Sequence, residues 1–164
     1  MKNLFKSFGY AFRGIYYTLK YERNMRIHFV CMVYMYSFLL IYDFFEVTQT
    51  QFAVIFAANA LVTALELVNT AIERTVDLAS EKRTENGKIA KDAAAGAVLI
   101  AAIFAVLIGI AILFQPEAFR KLFAYYTEKP YMLLIFVLSI ALATVFIFKG
   151  FGKNSKQDNS GNLK

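Results

Sequence analysis

The sequence predicts an all-α membrane protein in which an amphipathic N-terminal surface helix precedes four transmembrane helices. Two observations lead to this fold class. Apolar residues make up 59% of the chain and the mean hydropathy is +0.49, well above the roughly 45–50% apolar content of soluble domains. This excess is collected into four blocks, and each is close to the length of about 20 residues that a helix needs to cross a bilayer.

The predicted elements follow one another along the chain. Residues 1–24 combine Lys and Arg with apolar residues near helical spacing, which is typical of a helix that lies in the headgroup plane. The four apolar blocks run over Ile27–Tyr42, Phe52–Ile72, Ala93–Phe114 and Tyr131–Phe148. The third block begins with a run of small residues, Ala93–Ala97, which predicts close approach of a neighbouring helix.

Polar segments connect these blocks. Tyr42–Gln51 is short and acidic, so it predicts an antiparallel hairpin of the first two spans. Ser80–Lys88 is expected to be an inner loop with a turn at Asn86-Gly87. Gln115–Lys129 is expected to be an outer loop whose aromatic rings suit the membrane interface.

Three parts of the chain follow from this division. Residues 1–114 are expected to form a core of the surface helix and three spans, and residues 115–149 an outer loop and a fourth span. Residues 150–164 lose the aromatic residues and gain Lys, Asn, Ser and Gly, which predicts a disordered tail.

The distribution of positive charge predicts the orientation in the membrane. The net charge is +6, and six Lys or Arg residues lie at or before Arg26, whereas none lies between Ile27 and Thr70. With the N-terminus inside, fifteen of the eighteen positive charges fall on cytoplasmic segments. Because Lys and Arg in short loops favour the cytoplasmic side, both termini are expected there.

One face of the second span carries a stripe of polar side chains. At about 100° per residue, four of them fall within about 80° of one another: Glu66, Asn69, Glu73 and Asp77. Glu66 lies inside the apolar block, where an acidic side chain is costly and usually faces a bundle interior or a wet cavity. Asp77 taken alone reads as an ordinary interfacial charge. The stripe as a whole predicts a carboxylate-rich site at the cytoplasmic end of this span.

Stacked carboxylates beside fixed cations favour a site that handles phosphate. Mg²⁺ is commonly held by one or two carboxylates together with substrate phosphates. A further, partly desolvated carboxylate could take a proton from an alcohol. Lys91 and Asp92 begin the third span after a loop that returns to the same membrane face, and Lys91 would offset the charge of a polyphosphate.

Two other functional classes remain open on the residues alone. A small transporter or ion-binding bundle would place Glu66 and Asn69 along a pathway, although it does not explain why the charges concentrate at one face. A structural membrane adaptor would tolerate the loss of Glu66, Glu73 and Asp77. The chain has no G-x-x-x-x-G-K-[ST] motif, and with His28 as its only histidine it does not predict a zinc site.

Several spaced motifs resemble the prokaryotic diacylglycerol kinase family. They are K6-S-F-G-Y-A-F-R-G-I15, Y21-E-R-N-M-R-I-H28, E66-L-V-N-T-A-I-E73 with Asp77 after Arg74, and A90-K-D-A-A-A-G-A-V-L-I100. They agree with the family in order and separation and cover about residues 4–114. The resemblance implies a homotrimeric kinase that uses Mg²⁺ and transfers the γ-phosphate of ATP to a lipid alcohol.

The resemblance also implies roles that the residues alone leave open. The residue matching Glu66 acts as general base toward the lipid hydroxyl, and those matching Glu22 and Glu73 hold the metal. Without the resemblance, Glu22 reads as one more surface charge. The matches to Asn69 and Lys91 take part in catalysis. The expected contacts to the nucleotide and its phosphates come from a wider set, namely Tyr10, Gly14, Glu22, Glu73, Asp77, Lys91 and Asp92.

Two lipid alcohols compete as the expected substrate. The E-R-N motif, His28 and the A-K-D-A-A-A-G-A-V stretch are more similar to the undecaprenol kinase branch, so diacylglycerol is the alternative. The chain departs from the family in two places. The inner loop has no histidine, which puts adenine contacts from that loop in doubt, and Tyr131–Phe148 adds a fourth span to a three-span core.

Overall fold

The structure is a computed structural model that describes residues 2–79 and 84–150. Within these ranges it contains six α-helices and no strand. They are α1 (Lys2–Tyr21), α2 (Arg23–Ile41), α3 (Gln49–Ala79), α4 (Glu85–Leu113), α5 (Pro116–Glu128) and α6 (Pro130–Lys149). The helices α2, α3, α4 and α6 are long and apolar enough to cross a membrane, which confirms the predicted fold class. The predicted tail, apart from Gly150, and residues 80–83 of the predicted inner loop lie outside the described residues.

Side chains at the two ends of the helices define an inner and an outer end of the bundle. At the inner end, the start of α2 contacts the ends of α1, α3 and α6, and the end of α3 contacts the start of α4. At the outer end, the segment between α2 and α3 contacts Gln115 at the start of α5. The start of α2 and the end of α6 therefore lie on the same side of the bundle.

The helix α3 extends about two turns beyond the apolar block that predicted it. Hydropathy marks only the part of a helix that lies in hydrocarbon, whereas α3 continues to Ala79. Its last turns carry Glu73, Arg74 and Asp77, so these charges are displayed beyond the apolar part of the span. The continuous helix preserves the spacing that the polar stripe requires.

The start of α4 corrects the prediction of a turn at Asn86-Gly87. Both residues lie in the first turn of α4, because Thr84 caps the helix and its hydroxyl accepts a hydrogen bond from the Gly87 amide at 3.1 Å. A Cβ at position 87 would lie 2.9 Å from Thr84 Oγ1 and from Val76 Cγ1. Gly87 thus permits close packing of α4 against α3 rather than a turn.

The segment expected as an outer loop forms the helix α5. Pro116 lies in its first turn, where a backbone N–H would have no helical partner. The side chain of Gln115 donates hydrogen bonds to the carbonyl oxygens of Glu46 at 2.9 Å and Ile112 at 3.0 Å, and its Oε1 accepts one from the Glu46 amide at 3.0 Å. These contacts join the start of α5 to the segment between α2 and α3.

Packing within the bundle divides into two helix pairs. The antiparallel pair α3 and α4 has the most extensive contact. Of the run Ala93–Ala97, Ala94 is buried, whereas a Cβ at Gly96 would meet no atom within 4 Å. The second pair is α2 and α6, joined inside the membrane by a 2.8 Å hydrogen bond between Tyr34 and Ser139. Asn59 of α3 donates to the Tyr36 hydroxyl of α2 at 2.9 Å and so links the two pairs.

Candidate functional site

Glu22 lies at the bend where α1 ends and α2 begins. Its backbone is extended (φ −96°, ψ 119°), so the helix axis changes direction at this residue. The bend directs its carboxylate toward α3, where Oε1 lies 3.8 Å from Arg74 Nη2. The guanidinium of Arg74 also lies 5.3 Å from the centre of the Tyr17 ring, which holds α1 against the same turn of α3.

Glu66 is the most deeply buried acidic side chain that the structure describes, with 2% of its surface exposed. His28 of α2 places its Nε2 3.3 Å from Glu66 Oε1. Within the described ranges, no donor is aligned to make a hydrogen bond to that oxygen. A buried carboxylate oxygen without an aligned donor is costly. Glu66 therefore has the burial and the free acceptor expected of a base that receives a proton from a ligand.

Asn69 lies one turn further along the same face and is also buried. Its Nδ2 donates a 3.1 Å hydrogen bond to Glu73 Oε1, which holds that carboxylate in place. Its Oδ1 is a second buried acceptor for which residues 2–79 and 84–150 supply no hydrogen-bond partner. Two adjacent buried acceptors on one helix face can accept hydrogen bonds from a hydroxyl-bearing ligand.

Glu22 and Glu73 form a pair of neighbouring carboxylates. Burial raises the pKa of the Glu22 carboxyl, and the negative charge of Glu73 raises it further, while Arg74 acts in the opposite direction. This unfavourable charge pair would be stabilised by a bound cation. No cluster of three or more acidic, histidine or cysteine side chains that could hold a metal ion occurs in the described ranges. Two carboxylates completed by phosphate oxygens nevertheless match the usual ligand set of Mg²⁺.

Asp77 and Lys91 join the end of α3 to the start of α4. Lys91 Nζ lies 2.5 Å from Asp77 Oδ1, and Lys91 is about one-third exposed. The ammonium group therefore lies at the rim of the carboxylate stripe, where it could contact a phosphate group. Asp92, the next residue, is exposed.

The structure does not bring every predicted residue to the stripe. Tyr10 and Gly14 are exposed on α1, and Arg13 lies over the Tyr10 ring at 4.8 Å. In the part of the chain that the structure describes, neither contacts the carboxylates of α3. Their predicted role toward the nucleotide, like that of Asp92, has no geometric support within the single chain.

Three residues of this end were not singled out by the sequence pattern. His28 had no assigned contact in the sequence, but its Nε2 lies against Glu66 Oε1. Arg74 and Arg26 contribute positive charge beside Glu22. His28 lies just inside the apolar block Ile27–Tyr42, where a polar side chain is costly unless it has a partner, so its position was a usable signal.

Comparison with known proteins agrees with the resemblance. The model of the family described as prokaryotic diacylglycerol kinase matches residues 9–113. An undecaprenol kinase of Bacillus subtilis is 40% identical over 119 residues, which cover 71% of this chain and 92% of that protein. A diacylglycerol kinase of Synechocystis sp. is 42% identical over 115 residues, which cover 70% of this chain and 64% of that protein. No solved structure matches the chain.

The match includes the whole carboxylate stripe and ends where α4 ends, so α5 and α6 lie beyond it. It extends over more than half of the chain, and both relatives are named as lipid kinases. The chain therefore belongs to the prokaryotic diacylglycerol kinase family and is a lipid kinase.

Proposed function

We propose that the protein phosphorylates undecaprenol with ATP and Mg²⁺ at the cytoplasmic face of a bacterial plasma membrane. The observation that carries this proposal is Glu66, a carboxylate that is 2% exposed within a membrane-spanning helix and whose Oε1 lacks an aligned hydrogen bond from the described residues. It lies near the inner end, below the charged side chains that could bind phosphate. A base at this depth suits an acceptor whose hydroxyl arrives from the membrane.

Glu66 and Asn69 act on the acceptor in this proposal. As the lipid enters, its hydroxyl donates its one hydrogen bond to Asn69 Oδ1, and it then turns to Glu66 Oε1, which takes the proton. The lipid oxygen then forms a bond to the γ-phosphorus of ATP while the bond from that phosphorus to the β,γ-bridging oxygen breaks, and ADP leaves. His28, 3.3 Å from Glu66 Oε1, holds the carboxylate in the orientation this step requires.

The donor is bound by the residues at the rim. Glu22 and Glu73 would hold Mg²⁺, which would supply positive charge to offset that of the nucleotide phosphates. Asn69 keeps Glu73 in place through its 3.1 Å hydrogen bond. Lys91 either exchanges its contact with Asp77 for one with the phosphates or contacts both groups at once. In either case its positive charge offsets the negative charge of the phosphates. Tyr10, Gly14 and Asp92 are proposed to contact the nucleotide.

Undecaprenol is favoured over diacylglycerol by the extent of the match. The undecaprenol kinase relative is covered over 92% of its length, whereas the chain spans less than two thirds of the diacylglycerol kinase relative. The similar identities, 40% and 42%, keep diacylglycerol as the alternative acceptor. The lipid hydroxyl and its attack on the phosphate are the same in both cases.

The proposed enzyme has its inner end in the cytoplasm and is a homotrimer. The start of α2 and the end of α6 lie at the same end of the bundle, and the positive charges concentrate there, so we assign that end to the cytoplasm. A homotrimer is proposed from family membership. Equilibrium sedimentation in detergent would test it, because a monomeric active enzyme contradicts it.

The decisive experiment measures phosphate transfer from γ-labelled ATP in mixed micelles that contain either undecaprenol or diacylglycerol. We expect labelling of undecaprenol to exceed that of diacylglycerol and to depend on Mg²⁺. Preferential labelling of diacylglycerol would reverse the substrate assignment and keep the mechanism. Glu66→Gln should abolish transfer, and Glu46→Gln, a matched change at the outer end, should not. Labelling of neither lipid by folded protein would contradict the proposal.

A further inference from the structure

Arg26 is a buried arginine that contacts the last turns of α1 and α6. It lies in the first turn of α2 and is 6% exposed. Its Nε donates a 2.9 Å hydrogen bond to the carbonyl oxygen of Ile147, in the last turn of α6. Its Nη1 donates another, also 2.9 Å, to the carbonyl oxygen of Lys20, in the last turn of α1. One guanidinium thus joins the last turns of two helices.

The chemistry of helix ends explains why an arginine occupies this position. The last four carbonyl groups of a helix have no partner within it, and they form the negative end of the helix dipole. A guanidinium carries a delocalised positive charge and several donors in one rigid plane. Arg26 can therefore satisfy carbonyls of α1 and α6 at once, which the single ammonium of a lysine could not do in the same geometry.

Gly150 provides a second, independent observation at the same contact. It ends α6 with φ 58° and ψ −164°, a conformation that is essentially restricted to glycine. A Cβ at this position would lie 3.0 Å from Arg26 Nη1 and 3.1 Å from the Lys20 carbonyl oxygen. The end of α6 is therefore shaped to approach the bend between α1 and α2, and any larger residue would separate them.

The bend that Arg26 holds is the one that carries Glu22. Lys20 precedes Glu22 by two residues, and the Arg26 amide donates a 3.3 Å hydrogen bond to the Glu22 carbonyl oxygen. Arg26 thus contacts both arms of the bend, α1 through its side chain and the Glu22 carbonyl through its backbone amide. Because α6 lies outside the family match, this contact is a feature that the matched core does not contain.

We propose that Arg26 is a positioning residue through which the fourth span acts on the kinase site. By joining the last turns of α1 and α6, it fixes the direction in which Glu22 points, so α6 is a part of the nucleotide site's support rather than a separate anchor. This inference rests on the proposed function, because the effect on catalysis passes through Glu22 and its role toward Mg²⁺ and ATP.

Steady-state kinetics on the full chain test this role. Arg26→Lys keeps the positive charge but cannot make both hydrogen bonds at once. We therefore expect the KM for Mg·ATP to rise about tenfold, the effect of one lost charged hydrogen bond, with kcat within about threefold of wild type. Gly150→Ala should raise KM in the same direction. Both variants break the same contact, so the KM of the double variant should be no higher than that of the more impaired single variant.

Ser139→Ala is the matched control. It removes the Tyr34–Ser139 hydrogen bond between α2 and α6 without touching the contact at Arg26. We expect a KM for Mg·ATP equal to that of wild type. A wild-type KM in Arg26→Lys, or full additivity in the double variant, would overturn the inference. A rise in KM of equal size in Ser139→Ala would also overturn it, because the effect would then belong to the whole α2–α6 interface.

A distance measurement separates this inference from the proposed function. Spin labels are placed on cysteines introduced at the exposed positions Phe12 in α1 and Leu142 in α6, with Cys31 replaced by alanine. We expect a narrow distance distribution that broadens when Arg26→Lys is added. A distribution that is unchanged overturns the contact whatever the activity. An absence of lipid phosphorylation by wild type contradicts the proposed function instead.

Discussion

The two ends of the bundle are held together by different chemistry. The inner end is joined by charged contacts, such as Arg74 with Glu22 and Lys91 with Asp77, and it includes two buried acceptors without aligned donors among the described residues. The outer end is joined by aromatic rings and by neutral hydrogen bonds. The inner end thus retains buried acceptors that a ligand could satisfy, whereas the contacts at the outer end are made within the chain.

Tyr42 and Tyr126 show how the outer end is satisfied. Their hydroxyl groups lie 3.2 Å apart, and the Tyr126 ring stacks on Phe136 with centroids 5.7 Å apart. Burial and the bond to Tyr42 raise the pKa of the Tyr126 phenol well above its ordinary value, so it remains neutral. Aromatic pairs of this kind stabilise by about 0.5–1.5 kcal/mol beyond the area they bury. Changes at this end should therefore affect stability, and changes at the inner end activity.

The largest effect is expected for Glu66→Gln. Loss of the base should lower kcat by roughly 100-fold or more, the usual contribution of a general base. Thermal unfolding in detergent should occur at the wild-type temperature or above, because an amide is less costly to bury than a carboxylate. Activity within threefold of wild type would remove Glu66 as the base.

Asn69→Ala should have the next largest effect. It removes the hydrogen bond that holds Glu73 and the acceptor proposed for the lipid hydroxyl. We expect kcat/KM for the lipid to fall about tenfold or more, and the Mg²⁺ concentration at half-maximal rate to rise. Mg²⁺ titration at saturating lipid measures the second effect. Thr63→Ala, one turn or more toward the outer end on the same helix, is the control and should leave both values unchanged.

Gln115→Ala should shift stability and not activity. It removes two donated hydrogen bonds and one accepted hydrogen bond at the outer end. We expect a loss of about 1–2 kcal/mol in the free energy of unfolding, because these contacts are largely solvent-exposed. Denaturant titration in detergent measures it. A loss of kinase activity by a folded variant would show that the two ends are coupled and would break the comparison.

The smallest effect is expected for Arg120→Gln. Arg120 pairs with Glu117 on the surface of α5, and their side chains are 75% and 69% exposed. Exposed pairs of this kind contribute roughly 0–1 kcal/mol. The unfolding midpoint should shift less than in Gln115→Ala, and salt should diminish the difference. A larger shift than in Gln115→Ala would mean that the outer end depends on charge after all.

The sequence predicted the spans and the polar stripe because both depend on local periodicity. Glu66, Asn69, Glu73 and Asp77 share a face in any straight helix, so their grouping needed no tertiary information. The helix α5 was missed because its apolar residues are too few to form a block, although Pro116 was a usable start signal. The turn expected at Asn86-Gly87 was wrong because a glycine required by packing against Val76 resembles one required by a turn.

Contacts between distant segments could not be predicted from periodicity. Nothing in the pattern places Glu22 beside Arg74, since that contact depends on how α1 crosses α3. His28 beside Glu66 and Arg26 beside Ile147 depend likewise on helix pairing. For Glu22 the resemblance to a family supplied a role that the residue pattern did not.

The contact between Arg26 and Ile147 joins residues that are 121 positions apart. A ribosome must therefore add these 121 residues, and α6 must enter the bilayer, before the guanidinium can reach its second carbonyl. Until then Arg26 lacks its contact with the carbonyl oxygen of Ile147. The order of biogenesis thus delays completion of the bend at Glu22 until α6 has been inserted. A chain that ended before α6 would retain every residue of the carboxylate stripe and still lack this contact beside Glu22.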